Sequence, residues 1–199
     1  MRKLILASSS PYRRAILDKI HLSYHSISPQ IDESPITGEN VSNLVQRLAL
    51  KKAQKVAQSE PDSLIIGSDQ AAFLNGEVLS KPGSIANAQL QLAKCSNNTV
   101  TFHTGLCLLD SRDNSYQCED ITFKVHFRSL SKQEIEHYIA IESPLDCAGS
   151  FKVEALGISL FERLEGEDFN SLIGLPLIAL LKMLRNKGVN PLNPLAPSN

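Results

Sequence analysis

Apolar residues recur along this chain at two spacings, and the switches between them mark its elements. Leu4 to Ala7 is a short continuous apolar run, the pattern of a buried strand. Ser8-Ser9-Ser10-Pro11 follows, where serine supplies a helix cap and proline suits the first helical position, so a helix to about Ile20 is predicted. A second helix is predicted over Val41 to Gln58, with Val41, Leu44, Val45, Leu48, Ala49, Ala53 and Val56 on one face. At about 100° per residue Lys52 falls within that apolar face and points towards the protein body.

Leu64-Ile65-Ile66 reads as a central buried strand ending in Gly67-Ser68-Asp69-Gln70. The turn signal Asn75-Gly76 and Lys81-Pro82-Gly83 precede a helix starting near Ser84. Thr99 to Leu109 and Gln117 to Arg128 are rich in β-branched and aromatic residues and predict an antiparallel pair. Ser131-Lys132-Gln133-Glu134 is a capping box that opens a further helix. Ile158 to Leu164 is a strand candidate, and Pro176 to Asn186 a final helix that Gly188 terminates. The order implies an α/β fold, one elongated domain over residues 1–189 around a mixed twisted sheet. Residues 190–199 hold three prolines and little to bury, and a mobile tail is expected there.

Composition narrows the function more than the fold. The 199 residues carry 42% hydrophobic and 21% charged side chains, ordinary globular usage, with room for a core that holds an active site. A formal net charge of -1 disfavours an extended nucleic-acid interface, which needs a clear excess of Lys and Arg, but permits a small anionic ligand. The apolar run at Leu4 is too short for a signal-peptide core or a membrane anchor, so a cytoplasmic protein with no membrane partner is expected. Cys95, Cys107, Cys118 and Cys147 form no C-x-x-C pair and no metal spacing with histidine, and read as reduced thiols.

Asp69 is the sharpest candidate for chemistry. A carboxylate ending a buried strand sits where open α/β sheets place ligands, although capping a turn is the other use of aspartate after Gly-Ser. Asp32-Glu33 offers oxygen ligands of the type that suits Mg²⁺ or Mn²⁺, or else a solvated acidic loop. The helix start at Ser10-Pro11 favours an anion through its free N–H groups and dipole, with Arg13 and Arg14 adding charge. Lys52 on an apolar face must snorkel outwards or meet a buried anion. Lys81 is a lone loop cation. No Gly-rich phosphate loop, dinucleotide fingerprint, zinc-protease motif or nucleophile elbow is present.

The ordered set Leu6-Ala7-Ser8-Ser9-Ser10-Pro11-Tyr12-Arg13-Arg14, Asp32-Glu33, Lys52-Ala53, Gly67-Ser68-Asp69-Gln70, Lys81-Pro82, Ala148-Gly149-Ser150-Phe151 and Gly174-Leu175-Pro176 resembles the Maf-like nucleotide pyrophosphatases up to about Gly188. That resemblance implies an elongated α/β fold with a deep cleft, related to the inosine triphosphate pyrophosphatases. It implies hydrolysis of a nucleoside triphosphate to monophosphate and pyrophosphate with a divalent cation, Mg or Mn, and a homodimer. By the same resemblance Asp69 is the proton acceptor, Glu33 and Asp69 are the metal-side acids, and Ser8, Ser10, Arg13, Lys52 and Lys81 cradle the triphosphate. Tyr12, Gln70 and Glu154 replace the arginine, threonine and glutamine of the broad pattern. This set is similar to the subgroup acting on 7-methyl-GTP, which carries tryptophan where Tyr12 stands. The alternatives are a uridine or thymidine triphosphate pyrophosphatase and a non-catalytic nucleotide-binding regulator of cell division.

Overall fold

Strand β1 (Lys3–Ala7) buries Leu4 to Ala7 and lies parallel to two neighbours, β2 (His25–Ser26) and β3 (Ser63–Leu74), with Leu6 opposite Ser26 and Ile66. Parallel neighbours need long crossovers. Helices α1 (Pro11–Asp18) and α2 (Val41–Ala57) lie on these connections. After β3 come β4 (Glu77–Leu79), α3 (Ile85–Cys95), β5 (Thr99–Asp110), β6 (Tyr116–Phe127), α4 (Lys132–Glu142), β7 (Phe161–Glu165), α5 (Phe169–Ile173) and α6 (Leu177–Asn186). This computed structural model describes residues 2–193. The strands join in one seven-stranded mixed sheet of order β2-β1-β3-β5-β6-β7, with β4 paired to β3. Among the described residues the fold is therefore α/β, with one mixed sheet and six α-helices.

The described chain divides into two compact units, and β3, β5 and β6 contribute residues to both. The first unit takes residues up to Asp69, Thr104–Ile121 and the segment from Gly174. In it Ile5, Ala7, Ile65, Cys107 and Leu109 of the sheet bury against Ala49, Ala53 and Val56 of α2. The second unit takes Gln70–His103 and Thr122–Ile173. Its core gathers Leu92 and Cys95 of α3, Ile135 and Tyr138 of α4, and an aromatic group of Phe102, Phe127, Phe151 and Phe161. These rings meet edge to face with centroids 5.0 to 5.4 Å apart, the arrangement their quadrupoles favour.

Local signals set most boundaries. Ser10, Asn40, Ser84 and Ser131 each cap a helix with a side-chain oxygen, and Glu134 completes the capping box. At the end of α6, Gly188 adopts φ +76°, its N–H donates to the Arg185 carbonyl, and that of Val189 donates to Leu184. These bonds satisfy carbonyls that the helix end leaves open. Helix α1 stops at Asp18, two residues early, because the chain turns there into His21 at positive φ.

Two expectations are corrected. Asp69 does not end its strand, since β3 continues to Leu74. The pairing with β1 stops at Gly67 and that with β4 starts at Ala72, so the strand changes partner and keeps going. The segment Ile158 to Leu164 is split, with Leu156–Leu160 a 3-10 turn and the strand starting at Phe161. Of the expected tail, Asn190–Asn193 forms a turn, and residues 194–199 lie outside the described residues.

Candidate active site

Helix α2 lies so close to the sheet that two strands carry glycine beneath it. A Cβ on Gly67 of β3 would come 2.0 Å from the Ala49 carbonyl oxygen, and one on Gly105 of β5 would come 2.2 Å from that of Val45. No side chain fits at either place. Side chains alternate along a strand, so Asp69 emerges on the same face as Gly67, towards α2. Lys52 sits in the next part of that helix contact, beside Ala53.

The result is a buried ion pair. Lys52 Nζ donates to Asp69 Oδ1 at 2.6 Å and stands 2.8 Å from Glu33 Oε1. Lys52 and Asp69 are 6% and 8% exposed, whereas the Glu33 side chain is 58% exposed, so the cluster reaches solvent through the glutamate. The apolar-face lysine thus meets a buried anion and does not snorkel outwards.

The start of α1 adds a second cationic element in the same unit. Buried Ser8 accepts a hydrogen bond from the Ser10 backbone N–H at 3.1 Å, and the Ser10 hydroxyl accepts from the Arg13 N–H at 3.4 Å. The Arg13 guanidinium donates through Nε to the Gly174 carbonyl at 2.8 Å. That oxygen also accepts from the buried Ser68 hydroxyl at 2.9 Å. Burial lowers the Arg13 pKa from its ordinary value, against the pull of Asp69 and Glu33, and arginine stays charged regardless. Tyr12, at 38% exposure, presents its ring at the first turn of α1.

Glu33, Lys52 and Asp69 are therefore gathered at one point, with Arg13 in their field. Gln70, Lys81 and Glu154 belong to the second unit. Gln70 Nε2 donates to the Ser171 and Leu172 carbonyls at 2.8 and 3.1 Å, which fixes the amide's orientation. Lys81 is exposed in the loop after β4, and Glu154 is exposed in the turn before the 3-10 segment. An apolar groove between α3 and α4, lined by Leu90, Ala93, Leu130 and Ile135 among others, contains none of the predicted residues. Ser68 and Gly174, which orient Arg13 through a shared carbonyl, escape sequence reading because 106 positions separate them. Their one signal in the sequence is that they lie in Gly67-Ser68-Asp69-Gln70 and Gly174-Leu175-Pro176, two of the segments that carry the family resemblance.

Among the described residues no three His, Cys, Asp or Glu side chains assemble as a metal site. Glu33 and Asp69 nevertheless converge on one cation, the Lys52 ammonium. Two carboxylates completed by phosphate oxygens and water are a donor set that suits Mg²⁺ or Mn²⁺. The residues present fit such an ion.

One solved structure agrees with this fold over nearly the whole chain. The Ham1 protein from Staphylococcus aureus matches with a TM-score of 0.53 over 94% of this chain and 100% of that one, at 16% identity. A HAM1 protein from Coxiella burnetii, 15% identical, matches 64% of this chain and 73% of that one with a TM-score of 0.44. Among the described residues no helix is long and apolar enough to cross a membrane. The family model described as Maf-like protein matches residues 3–187, and the chain belongs to that family.

Proposed function

We propose that this protein is a nucleoside triphosphate pyrophosphatase whose substrate is 7-methyl-GTP, cleaved to 7-methyl-GMP and pyrophosphate. The observation that carries this reading is the Lys52–Asp69–Glu33 cluster, a buried carboxylate and an accessible one sharing a cation, on a chain of the Maf-like family.

In this reading Asp69 takes a proton from water as the water oxygen bonds to the α-phosphorus. The bond from that phosphorus to the bridging oxygen breaks, and its electron pair leaves with pyrophosphate. Lys52 and Arg13, joined by Lys81, bind the triphosphate and offset its charge, while Ser8 and Ser10 present hydroxyl and backbone groups to phosphate at the α1 N-terminus. A divalent ion held by Glu33 and Asp69 would supply Lewis-acid stabilisation of the phosphoryl oxygens. Lys52, which contacts both carboxylates, would share them with such an ion and orients them.

Substrate choice rests on Tyr12, Gln70 and Glu154. Methylation at N7 makes guanine cationic, so an aromatic face and a carboxylate suit it where the neutral pyrimidines gain nothing. The oriented amide of Gln70 adds a neutral contact that does not repel the cation.

The test is a metal-dependent assay of pyrophosphate release over 7-methyl-GTP, GTP, dTTP and UTP. The expected result is stoichiometric pyrophosphate and 7-methyl-GMP, with the largest kcat/KM for the methylated nucleotide. A preference for dTTP or UTP would overturn the substrate, and absence of pyrophosphate from every nucleotide would overturn the activity and favour a nucleotide-binding regulator.

A further inference from the structure

The sequence shows four cysteines with no pair motif, yet two of them meet in the fold. Cys107 lies on β5 and Cys118 on β6, neighbouring strands joined by residues 111–115. At the hairpin end the Asp110 N–H donates to the Ser115 carbonyl, and at the far end the Phe127 N–H donates to that of Asn98. Both bonds define the same register, so the ladder runs without a net slip and Cys107 stands directly opposite Cys118. The two sit three residues in from the Asp110–Ser115 pair, which makes them a non-hydrogen-bonded pair, the kind with Cα atoms about 4.5 Å apart. That separation falls within the roughly 4.4 to 6.8 Å that a disulfide spans.

The two thiols are not alike. Cys107 is fully buried in the layer between the sheet and α2, and Cys118 packs at its margin, partly open to solvent. The Cys107 S–H donates a hydrogen bond to the Cys118 sulfur, which holds the Cys107 thiol well above its ordinary range and lowers that of Cys118. Cys95 and Cys147 have no such partner arrangement, and burial pushes each of them up to about 12.

We propose that Cys107 and Cys118 form a hydroperoxide-responsive dithiol, with Cys118 as the attacking sulfur and Cys107 as the resolving one. The Cys118 thiolate attacks one peroxide oxygen, the O–O bond breaks, and hydroxide or water leaves, giving a sulfenic acid. The Cys107 sulfur then displaces that hydroxyl as water, its proton going to the leaving oxygen, and the S–S bond forms. Two thiols are oxidised and one hydroperoxide is reduced. Accessible, low-pKa cysteines beside a resolving cysteine are the ones that follow this course and stop short of irreversible oxidation. A thiol reductant restores the pair.

The test treats the full-length folded protein with hydrogen peroxide, quenches by alkylation under denaturing conditions and maps peptides by mass spectrometry. The expected result is a two-hydrogen mass loss, alkylation of Cys95 and Cys147 only, and one linked peptide joining 107 to 118, all reversed by dithiothreitol. In Cys107→Ser, Cys118 should instead accumulate a sulfenic acid that dimedone captures, and Cys118→Ser should lose both products. Mapping of the unmutated protein is decisive whether or not the variants fold. Free alkylation of Cys107 and Cys118 after peroxide, or a linkage through Cys147, overturns the proposal.

Discussion

Lys52 on α2 donates to Asp69 on β3 across 2.6 Å, and the two form the least exposed ion pair in the candidate site. Neither charge is well hydrated, so each depends on the other and on Glu33. The expectations for this site follow from that dependence.

Asp69→Asn preserves size and hydrogen-bonding shape but removes the proposed base. Turnover of the best nucleotide should fall about a hundredfold to ten-thousandfold. Glu33 remains beside Lys52, so the fold should persist. Steady-state kinetics at saturating metal, with a thermal melt alongside, checks both points, and a kcat near that of the unmutated protein would remove Asp69 from the mechanism.

Lys52→Ala leaves Asp69 buried without its closest counter-charge. Breaking a buried pair in this way costs about 3 to 5 kcal/mol, and Arg13 nearby should keep the loss to the low end. Lys51, exposed on the other side of α2, should change stability by no more than about 0.5 kcal/mol as alanine. Urea unfolding of the two variants, with KM for the nucleotide, separates them; equal effects would mean that the buried pair is dispensable.

Gly67→Ala should be among the most damaging single substitutions outside the charged site. The added methyl meets the Ala49 carbonyl, and α2 must lift from β3, an overpacking cost of about 1 to 3 kcal/mol. The lift also draws Lys52 away from Asp69, so activity should fall with stability. Gly105→Ala should behave alike in stability. Denaturant midpoints within error of the parent would show that the helix is not held by this contact.

Asp110 governs part of the acid response. Arg2 and Lys187 both donate to its carboxylate, Lys187 at 3.1 Å, and hold its pKa well below the ordinary 3.8. Its folded-state pKa is depressed, so its contribution is fully present above about pH 4 and is lost as pH falls towards the folded value. Asp110→Asn should therefore lower stability at neutral pH and flatten the fall in unfolding free energy between about pH 4 and pH 2. Chemical denaturation across that range gives both slopes; parallel curves would assign the acid response to other carboxylates.

Glu154→Gln tests selectivity. It should reduce kcat/KM for 7-methyl-GTP by about tenfold, equivalent to about 1.4 kcal/mol, and leave pyrimidine triphosphates unchanged or faster. Equal losses on both substrate classes would assign Glu154 to folding or to catalysis itself.

The sequence made the caps, the α2 face and the inward lysine legible, because each depends on residues within a few positions of one another. Ser10, Ser131 and Gly188 do in the structure what their local chemistry predicts. The continuation of β3 past Asp69 was not legible. Glycine and serine at 67 and 68 read as a strand end, whereas Gly67 is there because a helix backbone presses on it. That cause is tertiary and leaves no mark in the neighbouring residues. The same limit hid the Cys107–Cys118 encounter and the link between Arg13, Ser68 and Gly174, all of which depend on which distant segments the sheet brings together. The Asp69–Lys52–Glu33 grouping needed both kinds of information: the helix period aimed Lys52 inward, and the sheet decided which carboxylate it would find.

The Gly174 carbonyl receives Arg13 and Ser68 together, so one oxygen joins the beginning, the middle and the last part of the first unit. During synthesis the first two of these segments emerge long before the third. Until residue 174 has been made and has docked, the guanidinium has no acceptor at that place. A nascent or truncated chain that lacks this segment lacks the acceptor that orients its arginine. Correct aim of that side chain thus reports that the chain has closed on itself.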